Sequence, residues 1–151
     1  MEVEYRKNII ICSDDTVQYR VRNILKIKEA LYKVVKAEKK RLVAINIILT
    51  DESTMLSLNE KYLGHDTDTD TITFPYNEKE KDVFGDVYIS IDRVRENAKT
   101  YGCHVQEELF RIMVHGTLHL CGYEDKRDED EKSIMIEKQE KYIKMFHVEQ
   151  K

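Results

Sequence analysis

Two histidines, His115 and His119, stand four residues apart in a segment that is otherwise mostly apolar. Residues four apart share one face of a helix, so two imidazoles at this spacing can bind one metal ion. Gly122 lets the chain turn back sharply after the helix, and Asp125, six residues beyond His119, can then reach the same ion. We therefore predict a metal site formed by His115, His119 and Asp125.

Two imidazoles and one carboxylate leave a coordination position open for water, as in catalytic zinc sites. A zinc ion held in this way lowers the pKa of its bound water and can polarise a phosphoryl oxygen. Taken alone, two histidines at helical spacing are more often ordinary residues than ligands. The apolar surroundings favour a metal, because imidazoles in a buried helix need polar partners. Nickel or another divalent ion would also accept these ligands.

The residue after His115 argues against a peptidase. Metalloproteases with a His-Glu-x-x-His motif use its glutamate as the general base. Here that position is Gly116, so the general base is missing. We expect no peptide hydrolysis of that type.

Two further residues could take part in the chemistry of the site. Asp86 could orient a ligating histidine without binding the metal itself, or it could cap the end of a strand. His65 precedes an aspartate-rich run that fails the calcium-loop motif, since Thr71 and Asn77 occupy its glycine and glutamate positions. We interpret this run as a solvated loop in which His65 could contact the substrate.

The elements that must position these residues follow from the hydrophobic pattern. Strands are predicted at residues 2–12, 43–49, 71–74 and 83–91. Helices are predicted at residues 17–40, 52–62, 92–101, 105–120 and 128–146. The helix with both histidines is apolar nearly all round and should be buried. This order indicates a single α+β domain over residues 1–151, in which about five helices pack on a small mixed sheet of about four strands.

Composition bounds the class of protein. The chain has 151 residues, and its three unpatterned cysteines indicate reduced thiols rather than a disulfide framework. The first residues lack signal-peptide architecture, and no apolar run approaches the about 18 residues of a membrane span. We expect a cytoplasmic protein with no membrane partner.

Positive charge is concentrated in one segment of a chain whose net charge is −4. Nine lysines or arginines and only two glutamates lie between Arg20 and Arg41. Such a stripe is usually a solvated helix face, but in a protein that acts on RNA it also attracts phosphates. If the protein acts on RNA, the residues expected to contact it are Arg22, Lys26, Lys33 and Lys36.

Four runs of residues resemble the YbeY family of bacterial rRNA-maturation endoribonucleases. The run from His115 to Tyr123 resembles the signature His-Gly-x-Leu-His-Leu-x-Gly-Tyr. Residues 58–62 and 69–75 resemble the Leu-Asn-x-x-Tyr and Thr-Asp-x-x-Ser-Phe-Pro blocks, and residues 84–90 resemble the Leu-Gly-Asp-Ile-x-Ile-Ser strand. Order and spacing match over residues 40–125.

The resemblance implies a zincin-like fold, one zinc ion (Zn2+) per chain and single-strand-specific endoribonuclease activity. It also implies roles in 16S rRNA 3′-end maturation and in ribosome quality control. The implied partners are precursor rRNA and the ribosome or its small subunit, with no DNA. The nucleophile stays open, because either a metal hydroxide or the 2′-hydroxyl of the RNA could attack.

The chain departs from the family pattern at two positions. Asp125 stands where the family usually has a third histidine, so its carboxylate would make the metal-bound water less acidic. Leu63 stands where the family usually has an arginine that would stabilise phosphate charge. Two alternatives therefore stay open: a non-catalytic ribosome assembly factor with a structural metal, and a metal-dependent hydrolase of another substrate.

Overall fold

A computed structural model describes residues 5–63, 70–124 and 128–148. The elements in chain order are α1 (Tyr5–Asn8), β1 (Ile9–Ser13), α2 (Ile24–Ala37), β2 (Arg41–Thr50), α3 (Glu52–Leu58) with a π-helical turn (Asn59–Leu63), β3 (Thr71–Pro75), β4 (Asp82–Ser90), α4 (Ile91–Tyr101), α5 (Val105–Leu120) and α6 (Glu129–Met145). The predicted α+β fold is confirmed. None of the described helices is long and apolar enough to cross a membrane.

The four strands form one mixed sheet in the order β1-β2-β4-β3. Strands β1, β2 and β4 are parallel, and β3 pairs antiparallel with β4 at the edge. Successive side chains of a strand point to opposite faces, and in β4 Val87 and Ile89 are buried while Asp86 and Tyr88 are half-buried. One face of the sheet therefore carries the hydrophobic core.

Helix α5 lies at the centre of that core. It packs against α2, α4, α6, β3 and β4, and most of its side chains are buried, as the sequence predicts. Its approach to the sheet depends on Gly116, where an added Cβ would lie only 2.7 Å from Cγ1 of Val87. The helix ends at Cys121, and Gly122, with φ of 109°, reverses the chain. Helix α5 is thus a rigid support for both histidines.

The N-terminal third differs from the prediction in two places. Residues 5–8 are helical rather than part of a strand, and α2 begins at Ile24 rather than near residue 17. The carboxylate of Asp14 accepts hydrogen bonds from the backbone N–H and the hydroxyl of Thr16, so it stabilises a turn at this point of the chain. The amide of Gln106 binds the backbone N–H and carbonyl of Arg22, both at 2.7 Å. These contacts stabilise a non-helical segment before α2.

Candidate metal centre

The two histidines share one face of α5 and point into the same space. Their rings stand edge to face at 87°, with centroids 4.6 Å apart. The Nε2 atoms of His115 and His119 are 3.1 Å apart. Two imidazole nitrogens bound to a tetrahedral zinc at about 2.0–2.1 Å are about 3.3 Å apart. The observed pair therefore fits one zinc ion with little rearrangement.

Each ring is oriented by a hydrogen bond from its other nitrogen. The Nδ1 atom of His115 lies 2.7 Å from Oε1 of Gln139, and that of His119 lies 2.9 Å from the backbone carbonyl oxygen of Tyr123. Because an oxygen acceptor requires a proton on Nδ1, both contacts assign the tautomer whose Nε2 can bind a metal. Ligating histidines characteristically have such a partner on the second nitrogen.

The third predicted ligand, Asp125, lies outside the described residues, and so does His65. Over residues 5–63, 70–124 and 128–148, no group of three or more His, Cys, Asp or Glu side chains could hold a metal. The described part of the site thus consists of the His115–His119 pair, and the assignment of Asp125 stays a prediction.

Asp86 does not take the orienting role considered from the sequence. Its Oδ1 accepts a hydrogen bond from Nδ2 of Asn46 at 3.0 Å, and its Oδ2 accepts one from the hydroxyl of Tyr76 at 2.8 Å. The bond to Asp86 raises the pKa of Tyr76 to about 12. Since the neighbouring Val87 faces α5, Asp86 points to the opposite face of the sheet. Its bonds join β2 and β4 to the chain that follows β3, while Gln139 and Tyr123 orient the histidines.

The turn that holds His119 is anchored by Glu38, which caps the C-terminus of α2. The hydroxyl of Tyr123 donates to Oε1 of Glu38 at 2.7 Å. Lys138 donates to Oε2 at 3.1 Å, and the hydroxyl of Tyr142 donates to the same oxygen. Burial alone raises the pKa of Glu38, but the bonds from Tyr142, Tyr123 and Lys138 outweigh it and lower the pKa below its ordinary value.

The four basic residues predicted to contact RNA are all exposed, but they do not form one site. Arg22 precedes α2, beside Gln106. Lys26 and Lys33 border one pocket, where Lys33 pairs with Glu29 at 3.4 Å. Lys36 lines a different pocket near the C-terminus of α2.

That second pocket, of about 430 Å³, is strongly positive and is called the basic pocket below. Its cations are Lys36, Lys39, Lys40, Arg41 and Lys81. Arg41 is paired with Asp82 through two hydrogen bonds, and Lys40 donates to the carbonyl of Glu80. Lys36, Lys39 and Lys81 form no ion pair with any residue that the structure describes. The sequence pattern missed Lys81, because a turn 40 residues further along the chain brings it beside Arg41.

Comparisons with known proteins agree with this architecture. Residues 4–147 match the family model described as Endoribonuclease YbeY. An Endoribonuclease YbeY of Flavobacterium psychrophilum is 47% identical over 117 residues, which cover 78% of this chain and 82% of the relative. That of Thermotoga maritima is 38% identical, over 78% of this chain and 76% of the relative.

A solved structure supports the same relationship. The solution structure of TM1509 from Thermotoga maritima superposes with a TM-score of 0.62 and 32% sequence identity. The match covers 91% of this chain and 88% of that protein. This chain therefore belongs to the Endoribonuclease YbeY family.

Proposed function

We propose that this protein is a zinc-dependent endoribonuclease that cleaves single-stranded precursor rRNA in the cytoplasm. Its roles would be maturation of the 3′ end of 16S rRNA and ribosome quality control, with the small ribosomal subunit as partner. The observation that carries the proposal is the pair of Nε2 atoms, 3.1 Å apart, of His115 and His119. Membership of an endoribonuclease family supports RNA as the substrate.

The donor set fits zinc, with His115 and His119 as two ligands and Asp125 as the expected third. When bound there, zinc would supply a Lewis acid for a phosphoryl oxygen and a water of lowered pKa. The contribution of the protein is preorganisation: the bonds to Gln139 and Tyr123 hold both rings in place. The Nε2 pair then needs no reorientation to bind a metal.

The basic pocket supports the RNA-binding part of the proposal. Its lysines Lys36, Lys39 and Lys40 lie on both sides of Glu38, whose carboxylate binds Tyr123. The end of α2 therefore connects the basic pocket to the turn that orients His119. Phosphates of a strand that continues past the metal centre would be attracted there without regard to sequence.

Metal content and cleavage test the proposal together. Zinc would be quantified in the wild type, His119→Ala, Asp125→Ala and His104→Ala, and each protein would be assayed on single-stranded RNA. His104 is an exposed histidine that precedes α5, so it is the matched control. We expect about one zinc per chain and cleavage in the wild type and His104→Ala, and loss of both in the other two.

Three contrary results are informative. Zinc retained equally by Asp125→Ala would remove Asp125 as a ligand. No zinc in the wild type after reconstitution would overturn the catalytic proposal and leave the assembly-factor alternative. Zinc without cleavage of any single-stranded RNA would favour a structural metal or another substrate. If cleavage occurs, a 2′,3′-cyclic phosphate on the product would identify the 2′-hydroxyl as the nucleophile.

A further inference from the structure

A pocket of about 520 Å³ opens beside His115, between helices α4, α5 and α6. Its polar lining includes Asp70, Asn97, Glu108, Arg111, Lys132 and Gln139. The side chains of Tyr101 and Ile136, 68% and 47% exposed, contribute apolar surface. This pocket, called the α5 pocket below, is distinct from the basic pocket and shares His115 with the candidate metal centre.

The α5 pocket contains a buried carboxylate whose hydrogen-bonding capacity is not filled. The side chain of Glu108 is 4% exposed, and its Oε1 accepts no hydrogen bond from a described residue. Nη1 of Arg111 lies 3.5 Å away, but the guanidinium makes its closer bonds, both of 3.1 Å, to Glu140. Burial raises the pKa of Glu108, and Arg111 and Asn97 only partly offset that effect. A buried acceptor without a donor is destabilising, so its presence at a pocket wall points to a ligand that supplies one.

The rest of the polar lining holds one more carboxylate, Asp70, together with the cations Arg111 and Lys132. The carboxylate of Asp70 receives a hydrogen bond from Nδ2 of Asn97 at 3.3 Å and lies close enough to Glu108 to raise its pKa further. The part of a ligand that meets Glu108 and Asp70 must therefore present N–H or O–H donors. A metal ion is not favoured, because the described side chains include no group of three suitable ligands. The apolar surfaces of Tyr101 and Ile136 suit a flat, partly hydrophobic group.

The spacing along α5 relates this pocket to the metal centre. Glu108 precedes His115 by seven residues, or about 10.5 Å along the helix axis. A single nucleotide can bridge such a distance, with its phosphate at the histidines and the far edge of its base at Glu108. The α5 pocket is thus placed to receive a base next to a scissile phosphate.

We propose that the α5 pocket binds an unpaired nucleobase through an amino group on its Watson–Crick edge, with Glu108 as the acceptor. The inference rests on the proposed function, since it takes single-stranded RNA as the ligand. Adenine, cytosine and guanine present an exocyclic amino group on that edge. Uracil presents only N3–H, between two carbonyl oxygens that a carboxylate repels. The pocket therefore selects amino-bearing bases and rejects uracil.

Binding of short homopolymers tests this selection. Fluorescence anisotropy would measure the affinity of labelled rA5, rC5 and rU5, with oligomer integrity checked after each titration. A hydrogen bond to a charged group is strong enough that the wild type should bind rA5 and rC5 about tenfold more tightly than rU5. Glu108→Gln should reduce this preference to about twofold or less, because its amide replaces a purely accepting group. Asn97→Ala, a second variant in the pocket, should also weaken the preference for rA5 and rC5 over rU5.

The control is Glu107→Gln, which removes a neighbouring charge of α5 that does not line the pocket. It should retain the preference of the wild type. Equal binding of rA5 and rU5 by the wild type would overturn the inference about the α5 pocket. The proposed function would still stand if the same protein contained zinc and cleaved RNA. An unchanged preference in folded Glu108→Gln and Asn97→Ala would also overturn it. No binding of any oligomer together with no cleavage of longer RNA would overturn both.

Discussion

The imidazole of His115 is 2.7 Å from the side-chain amide oxygen of Gln139, and this contact joins α5 to α6. The other end of the same amide donates to Glu140 at 3.2 Å, which fixes the orientation of the amide. Glu140 is in turn held by two hydrogen bonds from Arg111. A chain of polar contacts between α5 and α6 thus determines which nitrogen of His115 carries the proton.

Replacement of Gln139 should weaken metal binding without removing a ligand. Gln139→Met keeps the length of the side chain but removes the acceptor for Nδ1, and loss of such partners typically costs about 10- to 100-fold in metal affinity. Gln139→Glu keeps an acceptor oxygen and should retain most of the affinity. Competition with a chromophoric chelator measures both variants. Equal affinity of the wild type and Gln139→Met would show that this contact does not support the metal site.

Gly116 packs closely on Val87, so Gly116→Ala should destabilise the wild type but stabilise a protein that carries Val87→Ala. Gly116→Ala places a methyl group 2.7 Å from Val87, and overpacking of this kind typically costs about 1–3 kcal/mol. In the Val87→Ala background the clash disappears, and alanine should then stabilise the helix by about 0.5–1 kcal/mol relative to glycine. Urea unfolding of the four proteins measures this coupling. Additive effects would show that the helix does not depend on this approach.

The same packing explains why much of the fold could be predicted from the sequence. The all-round apolar pattern of residues 105–120 reflects contacts of α5 on several sides, and β2 reads as an apolar run that only Asn46 interrupts. These patterns are local, so they survive in a single sequence. The spacing of His115 and His119 is local for the same reason, since one helix holds both.

Features that depend on distant contacts could not be predicted. Gln139 is 24 residues from His115, and nothing in its neighbourhood marks it as the acceptor for an imidazole. The late start of α2 depends on Gln106, which is 84 residues from Arg22. The apolar pattern before residue 24 predicts a helix, but the tertiary contact with Gln106 holds this segment in a non-helical conformation. The sequence also does not show that Asp86 points away from the histidines, because this depends on which face of the sheet α5 covers.

Charge neutralisation distinguishes the basic pocket from the predicted stripe on α2. Lys36→Gln with Lys81→Gln should weaken binding of single-stranded RNA. The slope of the logarithm of the binding constant against the logarithm of the salt concentration should become less steep by about 1.4, since each phosphate contact contributes about 0.7. Lys26→Gln with Lys33→Gln removes the same charge outside the pocket and should have a smaller effect. Binding titrations at several salt concentrations measure both. Equal effects of the two pairs would favour contact along the whole helix over a localised pocket.

The carboxylate of Glu38 should make the stability of the protein depend on pH in the acid range. Its hydrogen bonds from Tyr142, Tyr123 and Lys138 lower its pKa in the folded protein below the ordinary value of 4.5. An acid with a depressed folded pKa stabilises the native state above its unfolded pKa and loses that contribution as the pH falls through the folded pKa. The wild type should therefore exceed Glu38→Gln in free energy of unfolding at pH 7, and the difference should shrink below pH 4.5.

Urea unfolding at pH 7 and at two acid pH values would measure this difference. Glu137→Gln is the control, because Glu137 is exposed on α6 and removal of its charge should give no comparable pH dependence. Since other carboxylates also titrate in this range, only the difference between wild type and variant reports on Glu38. A difference that stays constant from pH 7 into the acid range would show that Glu38 contributes by packing alone. The negative charge of Glu38 would then not be needed to stabilise the turn that orients His119.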